Sequence, residues 1–264
     1  MSDRAVKGSL TIVGLGPARP EQVTLEAQAV LAQAARPGSG VRAYGLAHVR
    51  ELVHALAPGL EVRPLDYLYA LPGVDRPTAY QDLARMLVRR AFGDGVDVLY
   101  LVAGSPLFIN DAVLLIRRLC AAQGHPLRLV HGLSFVEVVL GRVFWTGHRG
   151  LQLYSAWNVA RDGLVLSTEA PALLCQLGES TAGGDALDVA GSRVLLAELR
   201  DRLARSYPAD HPLTVLYSSG RPDYTSLARQ VPLSALADEP VPVYSNLWVP
   251  ALDGAQAERE VAPG

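Results

Sequence analysis

A chain of 264 residues, 50% of them hydrophobic, has the size of one large or two small domains and can bury a sizeable core. Its formal net charge of −2 argues against a nucleic-acid patch or an anionic lipid surface as partner. Cys120 and Cys175 sit far apart in apolar patterns, which fits buried free thiols in a reducing cytoplasm better than a disulfide framework or a zinc site. No charged-then-apolar leader and no apolar run long enough for a bilayer is visible, so a soluble cytoplasmic protein is expected.

In chain order, the first strand-like run is Leu10 to Val13, which breaks at Gly14-Leu-Gly16-Pro17 and restarts as a helical pattern over Leu25 to Ala34. A dinucleotide fold would need a third glycine and a helix beginning at once, but Pro17 and Pro20 hold the chain extended there. Taken alone, the segment is a tight strand-to-helix turn. Strand runs at Val41 to Tyr44, Val98 to Val102 and Leu127 to Val130 then alternate with helical patterns at Val49 to Leu56, Tyr80 to Ala91 and Ala112 to Gln123. That alternation predicts a parallel α/β sheet. After Gly132 strand candidates crowd together at Leu151 to Tyr154, Gly163 to Ser167, Leu173 to Leu177, Leu213 to Tyr217 and Val241 to Val249. One clear helix, Ser192 to Ser206, and shorter ones near Ser134 to Leu140 and Tyr224 to Arg229 accompany them. Two α/β domains are therefore expected, 8–125 and 126–252, with a flexible tail over 253–264.

Three of the apolar strands run into glycine loops: Gly14-Leu-Gly16-Pro17, Ala103-Gly104-Ser105-Pro106 and His131-Gly132-Leu-Ser134. In this order they resemble the signature blocks of the tetrapyrrole methylase superfamily, whose strands end in Gly-x-Gly-Pro, Gly-[Asp/His/Ser]-Pro and Pro-Gly-[Ile/Val]-Ser loops. His131 replaces the proline of the third block. The resemblance continues through Gly150-Leu-Gln-Leu-Tyr154, Asp210-His-Pro-Leu-Thr-Val215 and Leu247-Trp-Val-Pro250, so it covers almost the whole chain. It implies two α/β domains with a cofactor cleft between them and an S-adenosylmethionine-dependent methyltransferase, releasing S-adenosylhomocysteine. It implies cofactor contacts from Gly14, Gly16 and Pro17, from Ala103, Gly104, Ser105, Phe108 and Ile109, and from Ser134 and Phe135. Tyr154, Ala156, Leu177, Pro212, Leu213 and Thr214 complete that set. For Ser105 and Ser134 a hydroxyl capping the next helix is an equally good reading, and both roles can coexist.

On the substrate side stands Tyr67-Leu-Tyr69, then Arg76-Pro77-Thr-Ala-Tyr80. Pro77 suits the first turn of a helix, which places Arg76 at its lip and Tyr80 one turn on. A guanidinium four residues from a phenol can orient it or favour its phenolate, which matters for a nucleophile as inert as an amide nitrogen. The other reading has Tyr80 facing the core and Arg76 solvated. The pattern resembles the borosin peptide backbone α-N-methyltransferases, in which this arginine and tyrosine line the catalytic site with an upstream tyrosine. Tyr67 or Tyr69 would supply that phenol. Leu153-Tyr154-Ser-Ala156 and Leu174-Cys-Gln176-Leu-Gly178 resemble two further blocks of that family. Fused borosins carry their substrate at their own C-terminus, whereas Asp253 to Gly264 is too short and polar for a core peptide, so a separate precursor peptide is expected. Asp223, Asp238 and Glu239 are isolated and no metal site is expected. The superfamily resemblance also implies a homodimer. Two other functions fit the resemblance: a methylase of a tetrapyrrole or another small molecule, and a noncatalytic module that keeps the cofactor pocket.

Overall fold

The structure, a computed structural model, describes residues 8–17, 19–68, 74–145, 147, 150–177, 189–217, 227–241 and 245–252. The chain divides into two compact units between Glu137 and Val138. The expected break at 125/126 falls too early, because Arg128–Val130 is a strand of the first sheet.

In the first unit β1 (Leu10–Gly14), β2 (Arg42–Gly45), β3 (Val62–Pro64), β4 (Val98–Val102) and β5 (Arg128–Val130) form a sheet in the order β3-β2-β4-β1-β5, parallel throughout. β3 escapes the sequence reading because Val-Arg-Pro is too short to show a period of two. β1 and β4 are buried at every position, as parallel strands covered on both faces must be. Their side chains alternate between two cores. Leu10, Ile12, Val98, Tyr100 and Val102 face α3 (Arg76–Val88) and α4 (Asp111–Gln123), whereas Val13, Leu99 and Leu101 face α1 (Leu25–Ala34) and α2 (Arg50–Leu56). So β1 sends its helix to one face of the sheet and its neighbour β4 sends its helix to the other.

Local chemistry sets the helix ends. Thr24 Oγ1 accepts from Ala27 N at 3.2 Å, Asp75 Oδ1 from Thr78 N at 2.9 Å and Asn110 Oδ1 from Val113 N at 3.1 Å, each capping a first turn. Gly124, in the left-handed conformation at φ 68°, closes α4, and His125 N bonds Cys120 O at 2.9 Å. α3 runs on into a π-helical turn, Arg89–Gly93, longer than the helical period alone indicates.

α5 (Phe135–Arg142) follows the third glycine loop. In the second unit β6 (Gln152–Ser155), β7 (Ala172–Cys175), β8 (Pro212–Tyr217), β9 (Leu227–Pro232) and β10 (Ser245–Val249) form a mixed sheet in the order β6-β7-β10-β8-β9. β6 and β7 are parallel, and β10 lies antiparallel to both β7 and β8. α6 (Ala156–Ala160) and α7 (Val189–Leu203) cover one face, with Leu174, Leu213, Val215, Leu247 and Val249 pointing into their core. Three expectations change here. Gly163 to Ser167 forms no strand; the Gln152 side chain bonds its backbone at Ser167 instead of a ladder doing so. Leu227 to Arg229 is strand rather than helix, because its backbone pairs with β8. α6 is a single turn, below the length that hydrophobic periodicity reveals. Tyr224 to Ser226, Pro242 to Tyr244 and Asp253 to Gly264 lie outside the described residues.

No helix among the described residues is long and apolar enough to cross a membrane. Trp248, 1% exposed on β10, the central strand of the second sheet, is the largest fully buried side chain among the described residues. Trp248→Ala should therefore cost about 3–5 kcal/mol in a denaturant titration. Both cysteines are buried, and burial raises the Cys120 thiol pKa, so neither should react with an aromatic disulfide reagent until the chain is unfolded.

Candidate functional site

The three glycine loops leave the carboxyl ends of β1, β4 and β5, three adjacent strands. They meet backbone to backbone. Gly104 N donates to Gly16 O at 2.7 Å, and Leu15 N donates to Val102 O at 2.9 Å. A Cβ at Gly14 would stand 2.6 Å from Gly132 N and 2.8 Å from Gly104 O, and one at Gly132 would stand 2.4 Å from Gly104 O. No side chain fits either position. Gly16 (φ 73°) and Gly104 (φ 72°) both hold the left-handed conformation that other residues avoid. The two differ in their surroundings. A Cβ at Gly16 would meet Gln22 O at 2.4 Å, whereas one at Gly104 meets nothing within 4 Å. Space is thus left beside Gly104 where a side chain would stand, at the point where neighbouring strands send their helices to opposite faces. That is where open α/β sheets bind ligands.

Around this point, Ser105 Oγ accepts from Leu107 N at 3.3 Å and Ser134 Oγ from Val136 N at 3.2 Å. The Ser134 hydroxyl therefore caps α5, whereas Ser105 closes a turn ahead of the Asn110 cap of α4, and each hydroxyl keeps its own hydrogen for another acceptor. Phe108 and Phe135 stack edge to face with centroids 5.5 Å apart, joining the second loop to the third. Ile109 holds φ 45°, a strained value for a β-branched residue, and remains 40% exposed. The Thr24 hydroxyl donates to His131 O at 3.2 Å, fixing the third loop where the superfamily signature has proline. Of the expected cofactor residues, Gly14, Gly16, Pro17, Ala103, Gly104, Ser105, Phe108, Ile109, Ser134 and Phe135 all fall in this one cluster.

On the same carboxyl edge, beyond β3, Tyr67 lies in a 3₁₀ turn, Asp66–Leu68, and is 55% exposed. Asp66 Oδ2 accepts from Ala47 N at 2.8 Å, tying that turn to the loop after β2. Arg76 opens α3, and Tyr80, one turn later, is half-buried against the core that includes Leu83 and Leu87. Tyr69 and the Arg76 side chain lie outside the described residues. The Thr78 hydroxyl, and after it the Thr78 N–H, bonds the Asp75 carboxylate and holds its pKa below the ordinary value.

In the second unit, Tyr154, Ala156 and Leu177 lie together at the carboxyl ends of β6 and β7, where Ser155 pairs with Cys175. Ala156 and Leu177 are fully buried in the core, so their side chains are committed to packing. Pro212, Leu213 and Thr214 are elsewhere. They begin β8, and Thr214 and Leu173 pair with the same residue, Trp248, on opposite sides of β10. That puts Thr214 level with Leu173, two residues, roughly 7 Å, below the carboxyl end of β7. Two features at that end are not visible in sequence patterns. Gln176 has φ 66°, and the fully buried Ser245 hydroxyl has no hydrogen-bond partner among the described residues.

The first unit is an open parallel α/β sheet with a glycine-lined switch point, and the second is a mixed α/β unit. The tetrapyrrole (corrin/porphyrin) methylase family matches residues 9–236. The chain belongs to this family and is an S-adenosylmethionine-dependent methyltransferase. Among solved structures, uroporphyrin-III-C-methyltransferase from Thermus thermophilus is 22% identical, with 98% of each chain covered and a TM-score of 0.65. Cobalt precorrin-4 methyltransferase CbiF is 17% identical at TM-score 0.62, covering 95% of this chain and 98% of CbiF. Diphthine synthase, 17% identical, covers 96% of this chain and 95% of its own at TM-score 0.63. These likenesses show the fold. No curated protein sequence matches.

The glycine cluster fits S-adenosylmethionine: Gly104 leaves open space where a side chain would stand, and the Ser105 and Ser134 hydroxyls retain a hydrogen to donate. Gly104→Ala should cost only the left-handed strain, about 1–2 kcal/mol, yet abolish the melting shift that S-adenosylhomocysteine gives the parent protein. Gly14→Ala, which meets backbone, should lose about 1–3 kcal/mol from overpacking alone, read in a denaturant titration. The Asp75 cap gives a pH signature. Its folded pKa is depressed, so its stabilisation is complete above the unfolded value near ~3.9 and is lost as pH falls through the lower folded value. The stability difference between parent and Asp75→Ala should be flat above about pH 5 and shrink below about pH 4.

Proposed function

We propose that this methyltransferase acts on backbone amide nitrogens of a separate ribosomal peptide. The observation that carries this reading is the charge balance around the carboxyl edge of the first sheet. Arg19, Arg50 and Arg76 in the loops there, with Arg63 in β3, stand against Glu21, Asp66, Asp75 and Asp111, four of each sign. A macrocycle rimmed with acetate and propionate groups needs a surplus of cations to replace its hydration. This edge has none to spare, and a peptide backbone is neutral.

S-adenosylmethionine, when bound, supplies an electrophilic methyl group on a positively charged sulfur. The chain's task is then to position the acceptor and remove the amide proton as nitrogen gains the methyl group. In this reading Tyr80 holds or takes that proton, and Arg76 at the start of α3 favours the phenolate. Tyr67 or Tyr69 supplies the second phenol. Methyl transfer to a tetrapyrrole is the second reading, and membership of the family favours it.

One assay separates them. The protein, S-adenosylmethionine and short peptides encoded beside its gene are incubated in parallel with a uroporphyrinogen reaction, and both are read by tandem mass spectrometry. Methyl groups on peptide nitrogen are expected. Methylation of the macrocycle with the peptides unmodified overturns the reading. Tyr80→Phe should slow peptide methylation by roughly 10²-fold, typical for loss of a general base, while retaining the S-adenosylhomocysteine melting shift.

A further inference from the structure

A groove of about 360 Å³ lies between the C-terminal ends of α3 and α4, lined by Arg85, Val88, Arg89, Phe92, Leu119 and His125 among others. Both helices start at the carboxyl edge of the sheet and run back to its amino edge, so about 20 Å of helix separates the groove from the start of α3. It plays no part in the methyl-transfer reading. Its size is that of a small-molecule site.

Three observations define what it takes. Arg85 and Arg89 are one turn apart on the same helix face, and the Arg89 guanidinium has no hydrogen-bond or ionic partner among the described residues. Arg85 reaches Asp82 at 3.3 Å and Gln81 at 3.2 Å, contacts on an exposed surface that are readily exchanged for a better anion. Phe92 and His125 stack face to face with centroids 4.1 Å apart and planes 13° from parallel, an aromatic pair that lines the groove with Val88 and Leu119. The π-helical turn Arg89–Gly93 carries both Arg89 and Phe92, and such insertions in a helix recur at binding sites. The helix C-terminus adds about half a negative charge here, which two full guanidinium charges outweigh.

We propose that this groove binds a phosphate monoester carried on a flat ring, the dianion between Arg85 and Arg89 and the ring along Phe92 and His125. Two guanidiniums match a doubly charged phosphate better than a single carboxylate. The test uses the full chain saturated with S-adenosylhomocysteine, so that the methyl-donor site is filled, and titrates phenyl phosphate by calorimetry. Saturable one-site binding is expected, with the His125 imidazole proton resonance moving in step. Benzoate and inorganic phosphate should each bind about tenfold more weakly, and Arg85→Gln or Arg89→Gln should weaken phenyl phosphate by about tenfold or more. Arg117→Gln, exposed on α4 outside the groove, should leave binding unchanged. The proposal is overturned if phenyl phosphate neither saturates nor moves the His125 signal, if benzoate binds as tightly, or if the Arg89→Gln protein, shown folded by its melting curve, binds as the parent does.

Discussion

Backbone packing between the three glycine loops is the constraint on which the first unit depends. Gly14 and Gly132 leave no room for a methyl group, and the Gly104 N–H is bonded to Gly16 O. Strand ends this close are possible only without side chains. The same closeness leaves backbone as the lining where the strands end, and backbone groups are obligatory hydrogen-bonding partners. A cofactor rich in polar atoms can be held there without a dedicated charged side chain.

The sheet prepares this arrangement. Because β1 and β4 are buried on both faces, their residues alternate between two cores, and those cores pull the following helices to opposite sides. The loops are thereby parted at the carboxyl edge, and the bond between Gly104 and Gly16 spans the parting. Caps at Thr24, Asp75 and Asn110 then fix where α1, α3 and α4 begin. Each cap sits on the functional edge, so helix starts and site are built from the same loops.

The second unit obeys a different rule. Inserting β10 antiparallel between β7 and β8 makes those two strands point the same way while setting their relative height through pairing with one residue, Trp248. The carboxyl ends of β6 and β7 carry Tyr154, Ala156 and Leu177 together, and the same end holds Gln176 at positive φ and the buried Ser245 hydroxyl, unpartnered among the described residues. The opening residues of β8 fall at the other edge.

The sequence alone determined the elements whose pattern is local: β1 and β4, α1 and α4, the glycine turns and the residues of the first-unit cluster. Their apolar periods and turn residues are read within a few neighbours, so Leu25–Ala34 and Val98–Val102 are found where the pattern puts them. β3, α6 and the strand over Leu227–Pro232 left too short or too ambiguous a pattern, because pairing partners distant in the chain decide them. The proximity of the three loops needed the strand order β4-β1-β5, and the height of Pro212 to Thr214 relative to β7 needed the register of β10. Neither order nor register is written in any one segment. Both are fixed only when buried faces from the whole chain must be covered at once.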